Sequence, residues 1–134
     1  MREILFRGKG FNDEWEYGVP VFSGLNNELA FMKQMHSYDH QVFPETIGQY
    51  TGLTDKNGKK IFEGDILSER PLMNQIAYVG YVAYDEELAV WRFMIKNDER
   101  YNGVLLGSYS NSYTVMGNIH DNPELLEGES DESD

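Results

Sequence analysis

The residues of this 134-residue chain whose types and spacing suit chemistry are three histidines, a pair of turn carboxylates, an Asp-x-Asn-Gly run and a set of tyrosines. His36 and His40 lie four apart with Asp39 between them, and His120 stands near the far end. On a continuous helix the first two imidazoles would share one face, a geometry zinc can use. The Glu of a His-Glu-x-x-His motif is missing, and the helical spacing fades before His40. These histidines therefore read as surface side chains. Asp55-x-Asn57-Gly58 sets two oxygen-bearing side chains beside a glycine, as a calcium loop does. Such a loop needs its glycine at the sixth place, which would make Leu53 the leading ligand, so the spacing fails. Glu63 and Asp65 flank Gly64 and share a strand face, which suggests paired acid–base carboxylates. Solvated turn acids are the commoner outcome.

Other signatures fail on their own terms. Gly8-Lys9-Gly10 and Gly103-x-x-x-Gly107 match neither a dinucleotide fingerprint nor a phosphate loop, and no Gly-x-Ser-x-Gly elbow exists. Tyr78, Tyr81, Tyr84, Tyr101, Tyr109 and Tyr113 would offer stacking surfaces to single-stranded bases. Arg92, Lys96 and Arg100 are the only cations near them in sequence, so core and interface roles are expected instead. No catalytic, cofactor-binding or metal-binding residue is assigned, and no cofactor is expected.

Those residues must be positioned by short strands and turns. Thr46 to Thr51 is β-branched and aromatic, and Lys60-Ile61-Phe62 resumes the extended pattern after Asp55-Lys56-Asn57-Gly58-Lys59. Asn-Gly at that place predicts a hairpin with Gly58 in the left-handed region. Glu63-Gly64-Asp65 predicts a second tight turn ahead of Ile66 and Leu67. Upstream, Arg2 to Gly8 and Trp15 to Phe22 read as a strand and its return, with Pro20 demanding an edge or a break. Leu25, Leu29, Met32 and Met35 or His36 recur at helical spacing, which predicts a short amphipathic helix over Asn27 to Met35. Downstream, Ile76 to Tyr84 and Leu88 to Lys96 flank the acidic turn Asp85-Glu86-Glu87. Alternation puts Trp91, Phe93 and Ile95 on the core face of that hairpin. Val104-Leu105-Leu106 and Tyr113 to Ile119 supply the last strands, and Asp121-Asn122-Pro123-Glu124 opens one helical turn. The fold class is mainly β with one or two short helices. By analogy at the level of fold, the arrangement is a small, partly open SH3-like barrel with added hairpins.

Composition bounds the rest. The chain has no cysteine, which excludes disulfides and thiolate metal sites and suits a reducing cytoplasm. Its charged N-terminus is no signal peptide, and it holds nothing like the run of about 18 apolar residues that spans a membrane. Net charge is −12, with six acids and no base in the last eleven residues, and residues 1–123 still carry −6. That balance lacks the basic footprint of a duplex binder. One domain over residues 1–126 is expected, with 127–134 as an acidic, disordered tail.

Three separated stretches also resemble a known family. Glu45 to Leu67, ETIGQYTGLTDKNGKKIFEGDIL, resembles the signature of the YopX-like family of small phage and prophage proteins. Arg2 to Lys9 with Trp15 to Gly18, and Met116 to Leu126, resemble that family's two ends, in the right order. The resemblance implies a phage or prophage context and one compact domain. It carries over no activity, cofactor or catalytic residue. The expected function is accordingly that of a non-enzymatic accessory protein working by protein–protein contact with a host or phage protein. Nine Tyr, seven Phe and two Trp exceed what so small an interior holds, so a homo-oligomer is expected. The exposed edge at Tyr113 to Ile119 would pair with a copy or lie under the chain's own helix. The alternative is a nucleic-acid-related role, either single-strand binding on a barrel face or acidic mimicry of DNA.

Overall fold

The computed structural model describes residues 3–34, 38–69, 78–97, 100–107 and 112–127. The protein is mainly β and divides into two compact units, Met1–Gly52 and Leu53–Asp134.

In the first unit, β1 (Phe6–Lys9), β2 (Trp15–Ser23), β3 (Leu29–Lys33), β4 (His40–Val42) and the start of β5 (Gly48–Thr54) form an antiparallel sheet. Its order is β4-β3-β2-β1-β5. The β1–β2 turn is closed by the Gly10 N–H on Glu14 C=O, with the Asn12 side chain accepting from the Glu14 N–H. Side-chain alternation sends Ala30, Met32 and Val42 to the buried face, where Phe6 and Ile47 pack against them.

One expectation changes here and another takes a particular form. The segment expected as a helix from Asn27 to Met35 is instead a 3-10 turn, Leu25–Asn27, followed by strand β3, Leu29–Lys33. Asn26 and Asn27 both adopt positive φ, at 61° and 57°, which stops a helix from starting. Pairing then decides between the two periods, because β3 has β2 on one side and β4 on the other. Met35 and His36 lie outside the described residues. The Pro20 strand is interior to the sheet order, and its pairing breaks just before Pro20, one of the two outcomes the proline demands. It changes partner along its length: Trp15 to Gly18 pair with β1, and Val19 to Ser23 with β3. Pro20 therefore occupies a stretch with one described neighbour, which it tolerates as it would an edge.

The second unit contains β6 (Lys60–Phe62), β7 (Asp65–Glu69), β8 (Tyr78–Asp85), β9 (Val90–Asn97), β10 (Arg100–Leu105) and β11 (Tyr113–Asn118). Strand β6 follows β5 in the order of the first sheet, and the others form a second sheet, β10-β9-β8-β7-β11. Both sheets are antiparallel and open, and no closed barrel forms among the described residues. The core is Ile61, Leu67, Val82, Phe93 and Tyr113, with Trp91 and Ile95 packed on it. Thus Trp91, Phe93 and Ile95 share the inward face, as alternation predicts. The Tyr113 ring meets Phe93 edge-on at 5.5 Å, and Tyr84 meets Trp91 in the same way at 4.9 Å. The final helical turn spans residues 124–127, and the N–H groups of Leu125 and Leu126 bond to Asn122 and Pro123 C=O. No described helix is long and apolar enough to cross a membrane. Residues 128–134 of the expected tail lie outside the described residues.

Candidate functional site

The Asp55 turn binds backbone N–H groups through both carboxylate oxygens, and its role is structural. Asp55 is only 5% exposed. Its Oδ1 accepts from the Asn57 and Lys59 N–H groups at 2.8 and 2.9 Å, and its Oδ2 accepts from the Val115 N–H at 3.0 Å. Burial pushes its pKa up, yet these three donors and the Lys59 charge outweigh burial and hold it below the ordinary aspartate value. Gly58, with φ of 83°, supplies the left-handed residue that the hairpin predicts. Both carboxylate oxygens are committed to backbone, which closes the calcium-loop reading a second way.

The same contacts explain the fate of β11. It lies at the edge of its sheet, as expected. Among the described residues, groups of the same chain take up part of that edge. The Asp55 carboxylate takes the Val115 N–H, the Lys56 N–H donates to Tyr113 C=O at 3.0 Å, and Asn122 Oδ1 takes the Asn118 N–H at 3.2 Å. An edge so capped offers little ladder to a second strand.

Asp65 is 1% exposed, not a solvated turn acid, and its Oδ2 accepts from the Phe62 N–H at 2.7 Å. Gly64 between the two acids has φ of 90° and bonds through its N–H to Val82 C=O. Asp65 thus clamps the turn that joins β6 to β7. His40 sits in the first unit, its Nδ1 3.9 Å from Glu16 Oε2, while Glu16 Oε1 accepts from Gln34 Nε2 at 3.1 Å. His120 belongs to the second unit, and His36 lies outside the described residues. No group of three or more metal-ligating side chains is placed to hold an ion among the described residues.

The tyrosines do not make one platform. Tyr113 is in the core, where burial pushes its hydroxyl pKa up and its oxygen accepts from the Gly107 N–H at 3.2 Å. Tyr84 is spent partly on Trp91, and Arg92 donates to Asp85 Oδ2 at 2.9 Å. Tyr109 and the side chains of Tyr101, Lys96 and Arg100 lie outside the described residues.

Sequence reasoning misses one surface. On the outward face of the first sheet, Tyr17, Val19 and Val21 of β2 stand 45%, 56% and 43% exposed. The register sets Val21 opposite Phe31 and Val19 opposite Lys33, and Leu29 on the same face is 38% exposed. Lys33, exposed, ends β3 on this face, and the exposed Glu28 precedes the strand. At the β1 side the Arg7 and Lys9 side chains, both largely buried, lie over the Trp15 ring at 4.5 and 5.3 Å. The signal was present as alternation, Tyr17-x-Val19-x-Val21 and Leu29-x-Phe31-x-Lys33, but the helical reading of the second run hid it. A half-exposed row of aliphatic residues on a sheet is the kind of surface that binds another protein.

The model of the YopX protein family matches residues 6–127 of the chain. Among solved structures, the chain is similar to protein EF1440 from Enterococcus faecalis, at 26% identity and a TM-score of 0.51. That similarity covers 94% of this chain and 99% of the other. No curated protein matches it.

Proposed function

This chain belongs to the YopX protein family, and from that footing we propose that it is a non-enzymatic accessory protein of phage or prophage origin. It works by protein–protein contact, in the cytoplasm of a bacterial host, and it associates with copies of itself. The observation that carries this reading is the outward face of β2 and β3, where Tyr17, Val19, Val21 and Leu29 remain open to solvent. Covering apolar surface recovers about 25 cal/mol for each Å² removed from water, so a face of this kind gains from a partner. Supporting it from the other side, the carboxylates singled out by spacing, Asp55 and Asp65, bond to backbone N–H groups within their own turns.

Net charge of −12 opposes close approach of two copies, and salt screens that repulsion. Light scattering across a salt series tests the reading. Mass should rise above the monomer at tens of micromolar protein and rise further with salt. A monomer mass under every condition would remove self-association.

The nucleic-acid alternative has less behind it. Tyr113 is in the core and Tyr84 packs on Trp91, which weakens stacking of single strands, whereas the acidic balance keeps mimicry of DNA in view. Gel shifts with duplex DNA should show no complex in low salt, since a net charge of −12 opposes approach to the phosphate backbone. A retarded band would overturn that part of the proposal.

A further inference from the structure

Asn57 is followed by glycine, and that pair has a reaction of its own. With no side chain on the second residue to hinder it, the Gly58 backbone nitrogen can attack Asn57 Cγ. The N–Cγ bond forms, the Cγ–Nδ2 bond breaks, and ammonia departs carrying the former amide proton. Water then opens the cyclic imide at either carbonyl. The product is aspartate or, more often, an isoaspartate whose backbone runs through the former side chain. Asn57 is exposed, and beyond the chain neighbours of Gly58 nothing lies within 4 Å of a Cβ placed there, so solvent reaches the pair.

The turn that carries the pair also restrains it. The Gly58 N–H donates to Asp55 C=O at 2.9 Å, so the proton that must leave is held in a hydrogen bond. On either side, the Asn57 and Lys59 N–H groups donate to Asp55 Oδ1 at 2.8 and 2.9 Å. The Asp55 N–H closes the loop on Lys59 C=O at 2.8 Å. Cyclisation must rotate the peptide between Asn57 and Gly58 until its nitrogen faces Cγ, and that rotation breaks the turn's i to i+3 bond. Asp55 has a second duty, because its Oδ2 holds the Val115 N–H of β11 at 3.0 Å. An isoaspartate at position 57 lengthens the backbone by one carbon between the two N–H groups on which Oδ1 is seated.

We propose that Asn57 is a site of spontaneous deamidation that the native Asp55 turn keeps closed, and that its conversion to isoaspartate releases the Asp55 carboxylate from Val115. The turn is then a one-way covalent switch. Only a molecule whose turn has opened reacts, and the isoaspartate product cannot rebuild the turn that protected it. The chain's other Asn-Gly pair, Asn102-Gly103, lies in strand β10 and is paired with β9, away from any such clamp. It serves as an internal reporter of global unfolding.

Ageing the full chain in mildly alkaline buffer, native and in guanidinium chloride, tests the assignment when peptide mass spectrometry follows both pairs. In denaturant the two asparagines should convert at similar rates. In native buffer Asn57 should convert at least about tenfold more slowly than in denaturant, since the turn must open first. Asp55→Ala should speed native conversion of Asn57 several-fold and leave Asn102 at its native rate. Should that variant unfold and accelerate both pairs, Asp55→Asn, which keeps an oxygen acceptor, carries the test with the same expected direction. Native conversion of Asn57 as fast as in denaturant would overturn the protection. An unchanged Asn57 rate in both Asp55 variants would overturn the role of the Asp55 turn. Purified protein with isoaspartate at position 57 should exchange its Val115 N–H faster than unmodified protein does, and equal exchange would overturn the link to β11.

Discussion

The two sheets of this protein end in different ways. In the second unit the core holds Ile61, Leu67, Val82, Phe93 and Tyr113, and the terminal strand β11 is sealed by the Asp55 carboxylate, the Lys56 N–H and Asn122. In the first unit the buried set is smaller, Ala30, Met32 and Val42, and the opposite face leaves Tyr17, Val19 and Val21 half open. The second unit spends its polar groups on internal bonds. The first leaves an aliphatic row on one sheet face outward, while the exposed apolar side chains of the second include Leu88, Val104 and Leu105. A sealed edge stabilises a domain without inviting a partner, and an open aliphatic face does the reverse. That contrast separates what holds the chain folded from what it offers to another molecule.

Mutations at matched positions in the two units sharpen the contrast. The largest effect is expected at the centre of the second core, where Phe93→Ala should cost about 3 to 5 kcal/mol in urea unfolding. A cost below 1 kcal/mol, on the same scale, would mean that the packing around Phe93 is loose.

Asp55→Ala comes next, at roughly 2 to 4 kcal/mol, because it leaves three backbone N–H groups without their carboxylate. This effect also has a pH signature. The folded-state pKa of Asp55 is depressed. Its contribution is therefore complete above the unfolded carboxyl range and is lost as pH falls through the folded value. Stability of the wild type should drop in acid more steeply than that of Asp55→Asn. Parallel curves for the two proteins would sink the claim that the ionised carboxylate is the clamp.

Gly58→Val should cost about 1 kcal/mol or more, through backbone strain at positive φ. The space around the position is open, with no atom within 4 Å of a Cβ placed there. Gly58→Ala should then cost nearly as much as an unhindered strained turn allows, and equal melting midpoints for wild type and both variants would disprove the strain. The smallest effect belongs to the first sheet. Val21→Lys should change monomer stability by no more than about 0.5 kcal/mol, since its side chain already faces water. A large loss would show that Val21 belongs to a core.

Much of this architecture is legible in the residues. The Asn57-Gly58 hairpin, the Gly64 turn, the inward row Trp91-Phe93-Ile95 and the single helical turn after Pro123 are all local signals, and local signals decide them. Strand β3 is different. Leu29 and Met32 fit a helical spacing, and what overrides it is pairing on both sides together with positive φ at Asn26 and Asn27. Neither is written in the spacing of apolar residues. The role of Asp55 is equally hidden, because its third donor, the Val115 N–H, lies 60 residues along the chain. From sequence the edge at β11 looks open for the same reason. The apolar face followed from the β3 misreading: once β3 is a strand, two short alternating runs become one surface.

The central claim is that the open face of the first unit, not the edge of the second, meets the partner. Amide hydrogen exchange followed over a range of protein concentrations reads both places in one experiment. As association sets in, exchange should slow in the segment from Tyr17 to Lys33 and stay unchanged in β11, Tyr113 to Asn118. Slowing confined to β11, with the Tyr17 to Lys33 segment unaffected, would contradict the account.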